Sequence, residues 1–191
     1  IQLPEGYHIE YGGQFESEQA ASRTLALTSF ISIVVIFLLL YNEFRSVKES
    51  GVILLNLPLA LIGGVFALVI TTGEVSIPAI IGFISLFGIA TRNGMLLISH
   101  YNHLQKEEGL NVYDSVMQGS LDRLNPILMT ALSSALALIP LALSGYLPGN
   151  EIQSPMAKVI LGGLLTSTFL NGFIIPIVYL MMHGKKKVTN E

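Results

Sequence analysis

Five long apolar stretches divide the chain, and most polar residues lie between them. A helix needs about 20 predominantly apolar residues to cross about 30 Å of hydrocarbon. The five stretches approach or reach that length, with bounds uncertain by a few residues: 25–41, 52–70, 77–99, 126–143 and 159–182. The pattern therefore predicts an all-α membrane protein with five transmembrane helices in residues 25–182.

The polar segment 1–24 has a different character from the spans that follow it. Residues 7–11 (YHIEY) alternate in a strand-like way, and two glycines break that pattern at 12–13. Residues 16–24 favour a helix that continues into the first span. We predict that 1–24 is the last strand and the connecting helix of a larger external domain.

The longest predicted connection is residues 104–122, between the third and fourth spans. Residues 107–109 (EEG) form a break, and Val112 to Leu121 are expected to make a short amphipathic helix. Pro78 and Pro126 are expected in the first turns of the third and fourth spans, where the missing N–H of proline has no cost.

The basic residues are distributed unevenly between the two sides of the predicted bundle. Segments 42–51, 100–125 and 183–191 share one side and carry seven Lys and Arg residues, whereas the other side has Arg23 and Lys158. Lys and Arg accumulate in cytoplasmic loops. We therefore predict a cytoplasmic basic tail at 183–191 and an N-terminus on the outer side of the membrane.

Composition supports a membrane protein and excludes several functions. Of 191 residues, 51% are hydrophobic and 12% are charged, whereas soluble domains carry about 25% charged residues. A net charge of −3 argues against nucleic acid as a partner. The chain has no cysteine, no GxxxxGK[ST] phosphate loop and no arguable Ser/His/Asp arrangement. We expect neither an enzyme nor a cofactor, and we interpret a chain that starts at Ile1 without a signal peptide as part of a longer protein.

Arg92 is the first candidate functional residue, because it lies within the third span. An arginine inside a membrane is costly, by at least about 2.5–3.5 kcal/mol on insertion scales, and usually has a function. Thr91 and Asn93 flank Arg92 and make a polar belt in an otherwise apolar helix. The alternative is an arginine whose stem extends along the span so that its charge reaches the cytoplasmic headgroups.

Arg123 and Thr130 are the second candidates. They are seven residues apart, close to two turns, and share a face if the helix begins before Pro126. A guanidinium with a hydroxyl above it would suit a hydrated proton path. From these residues alone, a basic anchor and ordinary Thr packing are the preferred interpretation.

All thirteen Asp and Glu residues fall outside the five predicted spans. Arginine is always protonated, so Arg92 cannot itself carry protons, and a charge within a membrane needs a partner. We therefore expect a carboxylate partner in another part of the protein or in a neighbouring subunit. No metal site is predicted: His100 and His103 are interpreted as interfacial residues, and single methionines as packing.

Several motifs in order resemble the last spans of resistance-nodulation-division (RND) efflux pumps. They run from Gly88 to Tyr101 (GIATRNGMLLISHY), from Glu107 to Gly109 (EEG) and from Arg123 to Thr130 (RLNPILMT). The glycine pair at 162–163, FIIP at 173–176 and YGGQFE at 11–16 continue the match, which covers essentially the whole chain.

The resemblance implies spans eight to twelve of twelve, preceded by the end of the periplasmic porter domain. In that family a proton relay joins carboxylates of the fourth span to positions that match Arg92, Arg123 and Thr130, and Asn93 adjoins this set. The resemblance also implies a homotrimer in the bacterial inner membrane. The N-terminal half of the transporter, a periplasmic adaptor and an outer-membrane channel would be its partners.

The segment Ala90 to Gly94 (ATRNG) followed by SHY looks most like the heavy-metal efflux branch, so a divalent cation is the expected substrate. Multidrug members usually carry lysine, and copper/silver members a carboxylate, where Arg92 stands. A multidrug or lipophile pump is the alternative. A non-transporting scaffold or sterol-sensing-like bundle is a further alternative. A passive channel is disfavoured, because the sequence shows no ring of charges or filter-like loop.

Overall fold

The structure is a computed structural model that describes residues 14–71, 73 and 75–183. Within these residues the chain forms helices and no strand. The helices are α1 (Gln14–Phe44), α2 (Val47–Thr71), α3 (Ile77–Lys106), α4 (Val112–Leu143) and α5 (Gln153–His183). All five are long and apolar enough to cross a membrane, which confirms the predicted fold class. The predicted strand at 7–11 and the tail after His183 lie outside the described residues.

Helices α2, α3 and α5 form the centre of the bundle, because their apolar stripes bury one another. Ile53 of α2, Ile98 of α3 and Ile175 of α5 pack in one buried cluster. Helix α1 lies against α2 and α3, and α4 lies against α3 and α5. Large apolar side chains on the outside stay exposed, for example Phe30 at 67% and Leu39 at 64%. Such a surface suits lipid or further protein, since water would oppose it.

Glycines allow α2 and α5 to approach very closely. A methyl group at Gly63 would lie 2.6 Å from the Gly162 carbonyl oxygen, and one at Gly163 would lie 3.0 Å from the Ala60 carbonyl oxygen. Small residues at helix contacts are typical of membrane bundles, where van der Waals packing drives association. The close α2–α5 contact thus depends on glycines, which have no side chain, rather than on large interlocking residues.

The helices extend beyond the predicted spans, and α4 differs most from the prediction. Residues 112–121 are not a separate short helix, since they open one continuous helix that runs to Leu143. The expectation that Pro126 lies in a first turn is therefore wrong, whereas Pro78 does lie there in α3. Asn111 caps α4 by accepting a hydrogen bond from the Asp114 N–H at 2.9 Å, which satisfies one free donor of the first turn.

Helices α2 and α4 begin, and α1, α3 and α5 end, at the same side of the bundle, which we call the basic end. Arg45, Lys48 and Lys106 lie there. Arg45 turns the chain from α1 into α2 with a φ of 53°. Because the helices are longer than the predicted spans, Glu49 and Asp122 belong to α2 and α4 rather than to loops.

Candidate functional site

Helix α3 turns one side toward the core and presents Arg92 on the other. On the core side, a methyl group at Gly94 would lie 3.3 Å from atoms of Ile53 and Ile175. Asn56 of α2 donates a hydrogen bond to the Ala90 carbonyl at 3.4 Å. Residue 92 lies about 200° around the helix from both 90 and 94. Arg92 is accordingly exposed, whereas Asn93, one position on, is buried.

Helix α4 brings Arg123 and Thr130 to the same face, as two turns of one unbroken helix do. Arg123 is half-buried and Thr130 is exposed. The Thr130 hydroxyl donates to the Pro126 carbonyl at 2.8 Å, so its proton is engaged within the helix while its oxygen can still accept. The early start of α4 therefore meets the condition on which the predicted pairing depended.

The four predicted site residues line one small cavity between α3 and α4. Its volume is about 50 Å³, and its walls are Arg92, Asn93, Leu96, Arg123, Pro126, Ile127 and Thr130. A water needs roughly 10–15 Å³ of such volume, so the cavity has room for about three. Polar residues that are 30 to 38 positions apart in sequence thus share one cavity.

The charge in this cavity is unbalanced within the described part of the chain. Two guanidinium groups line the cavity, and the three ion pairs among the described residues all involve histidine rather than arginine. Arginine donates hydrogen bonds, accepts none and keeps its proton. The cavity can therefore attract a carboxylate or another anion and hold water, but its own basic groups cannot release protons.

A larger cavity of about 540 Å³ lies between α4 and α5 and has a different chemistry. Leu124, Leu128, Leu132 and Phe169 are among its lining residues, and no charged side chain is among them. It offers apolar contact and little else. Of these two cavities, the small one is therefore the one with charged side chains in its walls.

The histidines that the sequence suggested were merely interfacial are each paired with a carboxylate. His100 Nε2 lies 3.2 Å from Asp122 Oδ2 of α4, and His103 Nδ1 lies 3.2 Å from Glu107 Oε1. The His100 and His103 rings stack with centroids 6.2 Å apart. In the described residues no three His, Asp or Glu side chains group closely enough to hold a metal ion.

A hydrogen-bond network at the basic end joins α2, α3 and α5. Asn102 donates to Glu49 at 2.8 Å, and the Tyr179 hydroxyl donates to Asn102 Oδ1 at 2.7 Å. Gln105 donates to the Tyr179 oxygen at 3.0 Å, and His183 stacks on the Tyr179 ring at 4.3 Å. Sequence reasoning missed this network and the His100–Asp122 pair. Both depend on which helices are neighbours. One signal was available, since His100 lies seven residues after Asn93 and therefore on the same face of α3.

Comparisons with known proteins agree with this architecture. The AcrB/AcrD/AcrF family matches residues 1–183. The protein HelA of Legionella pneumophila is 43% identical over 98% of this chain, and the cobalt-zinc-cadmium resistance protein CzcA of Cupriavidus metallidurans is 37% identical over all of it. A crystal structure of a heavy metal efflux pump superposes with a TM-score of 0.82 at 35% identity, covering 96% of this chain.

The chain spans only 18% of the length of each of these three proteins. The likeness nevertheless extends over nearly the whole of the present sequence, and the solved structure shares the arrangement of its helices. The chain belongs to the AcrB/AcrD/AcrF family of resistance-nodulation-division transporters, and within it to the heavy-metal efflux branch.

Proposed function

We propose that this chain forms the last five spans of a proton-coupled antiporter that exports divalent heavy-metal cations. The observation that carries the proposal is the cavity between α3 and α4, where Arg92 and Arg123 meet Asn93 and Thr130. Two fixed positive charges on an exposed side of a membrane bundle require negative partners. Carboxylates elsewhere in the transporter, which gain and lose protons, are the simplest partners.

Each cavity residue has a separate task in this mechanism. Arg92 and Arg123 hold constant positive charges, so a carboxylate that approaches them is stabilised when ionised and released when protonated. Asn93 and Thr130 supply neutral polar atoms that keep water in the cavity. Proton uptake then changes the attraction between α3–α4 and the rest of the transporter, which is the conformational signal. Arginine in this role acts only as a fixed counter-charge.

The names of the relatives support the choice of substrate. CzcA is named for resistance to cobalt, zinc and cadmium, and NccA of Alcaligenes xylosoxydans, 40% identical, for nickel, cobalt and cadmium. We propose the same class of divalent cations here. A multidrug pump of the same architecture is the alternative that the experiment below must separate.

The proposal includes the placement and assembly of the parent protein. Residues 1–24 would end the periplasmic porter domain, 25–182 would lie in the bacterial inner membrane, and 183–191 would be a cytoplasmic tail. The parent transporter would form a homotrimer that works with a periplasmic adaptor and an outer-membrane channel. The excess of basic residues at one end of the bundle supports this orientation.

The test compares Arg92→Ala and Arg92→Lys with the wild-type full-length transporter, in a bacterium that lacks its own efflux pumps but has the matching adaptor and channel. Survival is measured on zinc, cobalt, nickel and cadmium, on Cu(I) and Ag(I), and on hydrophobic drugs. Arg23→Ala on the exposed side of α1 is the matched arginine control.

We expect metal tolerance to be lost with Arg92→Ala, partly kept with Arg92→Lys and unchanged with Arg23→Ala, at equal protein levels. Protection against drugs alone would contradict the proposed substrate. An Arg92→Ala variant that protects as well as wild type would contradict the role of the cavity and favour the headgroup-anchored arginine.

A further inference from the structure

The His100–Asp122 pair and the arginine cavity both lie along the contact between α3 and α4, which we call the seam. The pair is on the side of the cavity toward the basic end. His100 follows Asn93 by seven residues, which places it on the same face about 10 Å further along α3. Asp122 immediately precedes Arg123 in α4. The 3.2 Å contact between the His100 and Asp122 side chains therefore closes the seam between the cavity and that end of the bundle.

Imidazole supplies the chemistry that the cavity lacks. Arginine keeps its proton, and the asparagine and threonine of the cavity do not titrate. Imidazole is the side chain whose ordinary titration range is physiological, so it can accept a proton and pass it on. His100 does not line the cavity, but it is the imidazole that the described seam places about two helical turns beyond Asn93 toward the basic end.

The two nitrogens of His100 have different surroundings. An ionised carboxylate only accepts hydrogen bonds, so in the neutral pair the Nε2–H donates to Asp122 Oδ2. Nδ1 then has the free lone pair. The His100 side chain is 17% exposed, whereas that of Asp122 is 49% exposed, so Asp122 is the more solvent-accessible member of the pair.

We infer that His100, oriented by Asp122, is the group through which protons leave the cavity toward the basic end. A protonated carboxylic acid of the transporter gives its proton to Nδ1 through cavity water. The imidazolium, stabilised by the Asp122 carboxylate, then loses its Nε2 proton to water at the basic end and becomes the Nδ1–H tautomer. A half-turn of the ring restores an N–H toward Asp122 and a free ring nitrogen toward the cavity before the next proton arrives. Only O–H and N–H bonds form and break. The inference rests on the proposed function, since it assigns an exit to the protons of that antiport.

The titratable and charged groups near His100 belong to α3 and α4. On α4, Asp122 lies 3.2 Å from His100, and Arg123 is the next residue along the helix. On α3, the His103 ring stacks 6.2 Å away and is itself paired with Glu107. Glu49 and Tyr179 bond to Asn102, on a different face of α3. Among the described residues, Asp122 is the carboxylate that pairs with His100.

The experiment uses the full-length transporter in vesicles, with a pH-sensitive dye that reports the proton flux started by zinc. His100→Gln keeps a hydrogen-bond donor toward Asp122 but cannot titrate. His183→Gln is the matched control, because His183 also faces a carboxylate at the basic end, Glu49 at 3.8 Å, but away from this seam. His100→Ala is measured with and without added imidazole.

We expect His100→Gln to slow zinc-dependent proton flux by about 100-fold, the lower end of what a positioned proton-transfer group contributes. The wild-type flux should fall when the solution at the basic end is acidified, because the imidazole then keeps its proton, and His100→Gln should lose this pH dependence. Added imidazole should restore His100→Ala, whereas His183→Gln should behave as wild type.

Three results would overturn the inference. If His100→Gln retains the flux and its pH dependence while Arg92→Ala abolishes the flux, the proposed function stands and His100 is not the exit group. If His183→Gln loses proton flux as His100→Gln does, or if imidazole does not restore flux in His100→Ala, His100 has only a structural role in the contact between α3 and α4. A wild type without any zinc-dependent proton flux would contradict the proposed function itself.

Discussion

Replacing Gly63 with alanine tests the closest helix approach in the bundle. The added methyl group would lie 2.6 Å from the Gly162 carbonyl oxygen and would also overlap the Thr166 side chain, whereas ordinary contacts are 3.4–4 Å. Rotation of Thr166 could relieve part of the overlap. It could not relieve the contact with the backbone of α5, so the two helices would have to separate by roughly 1 Å at this level.

The expected loss can be estimated from two opposing effects. Overpacking costs about 1–3 kcal/mol, and the backbone obstacle places Gly63→Ala in the upper half of that range. Alanine gains about 0.5–1 kcal/mol over glycine within a helix. The net loss is therefore about 2 kcal/mol. Gly51→Ala, also on α2, has nothing within 4 Å of the added methyl and should gain about 0.5–1 kcal/mol.

Amide hydrogen exchange of the full-length transporter measures this locally, since exchange reports the free energy of opening in each segment. A loss of about 2 kcal/mol corresponds to about 30-fold faster exchange in α2 and α5 peptides around the contact. Gly51→Ala should slow exchange or leave it unchanged. If Gly63→Ala exchanges no faster than Gly51→Ala, the glycine-mediated contact between α2 and α5 is wrong.

Two further substitutions test the basic-end network and the cavity. Asn102→Leu removes the donor to Glu49 and the acceptor of the Tyr179 hydroxyl, so exchange at the end of α3 should quicken by about 30-fold, for a loss of about 2 kcal/mol; unchanged exchange would mean that the network contributes no stability. On the proposed function, Thr130→Val, which removes the cavity hydroxyl, should slow zinc-dependent proton flux several-fold, whereas Thr130→Ser should not, and equal fluxes would remove Thr130 from the mechanism.

The helices were predictable because the length of an apolar run is a direct requirement of the bilayer. Their ends were less predictable. The predicted third span ends at Ser99, but α3 continues through polar residues to Lys106. Helical turns beyond the apolar span do not need apolar residues, so the end of the span does not mark the end of the helix. Pro126 misled the prediction for α4, because proline usually marks a first turn. Inside a membrane bundle, neighbouring groups let a helix continue through proline.

The candidate site could be predicted only in part. Arg92 was noticeable as a charge within a span, and the resemblance connected it with Arg123 and Thr130. That all three share a cavity with Asn93 required the packing of α3 against α4. The partners of His100 and Glu49 are 22 and 53 residues away in sequence. No local pattern indicates such pairs, because they are decided by which helices become neighbours.

The exposed position of Arg92 limits what can lie against that face of the bundle. Residues 90 and 94 of α3 are buried against α2 and α5, so Arg92 cannot turn inward without breaking the Gly94 contact. A lipid-facing arginine within a span costs at least about 2.5–3.5 kcal/mol on insertion scales. On the proposed function, the face formed by Arg92 and Arg123 therefore meets protein rather than lipid. Relatives more than five times as long have the additional chain to cover it. On the proposed function, the covering surface carries the proton-binding carboxylates, and the two arginines select where it docks.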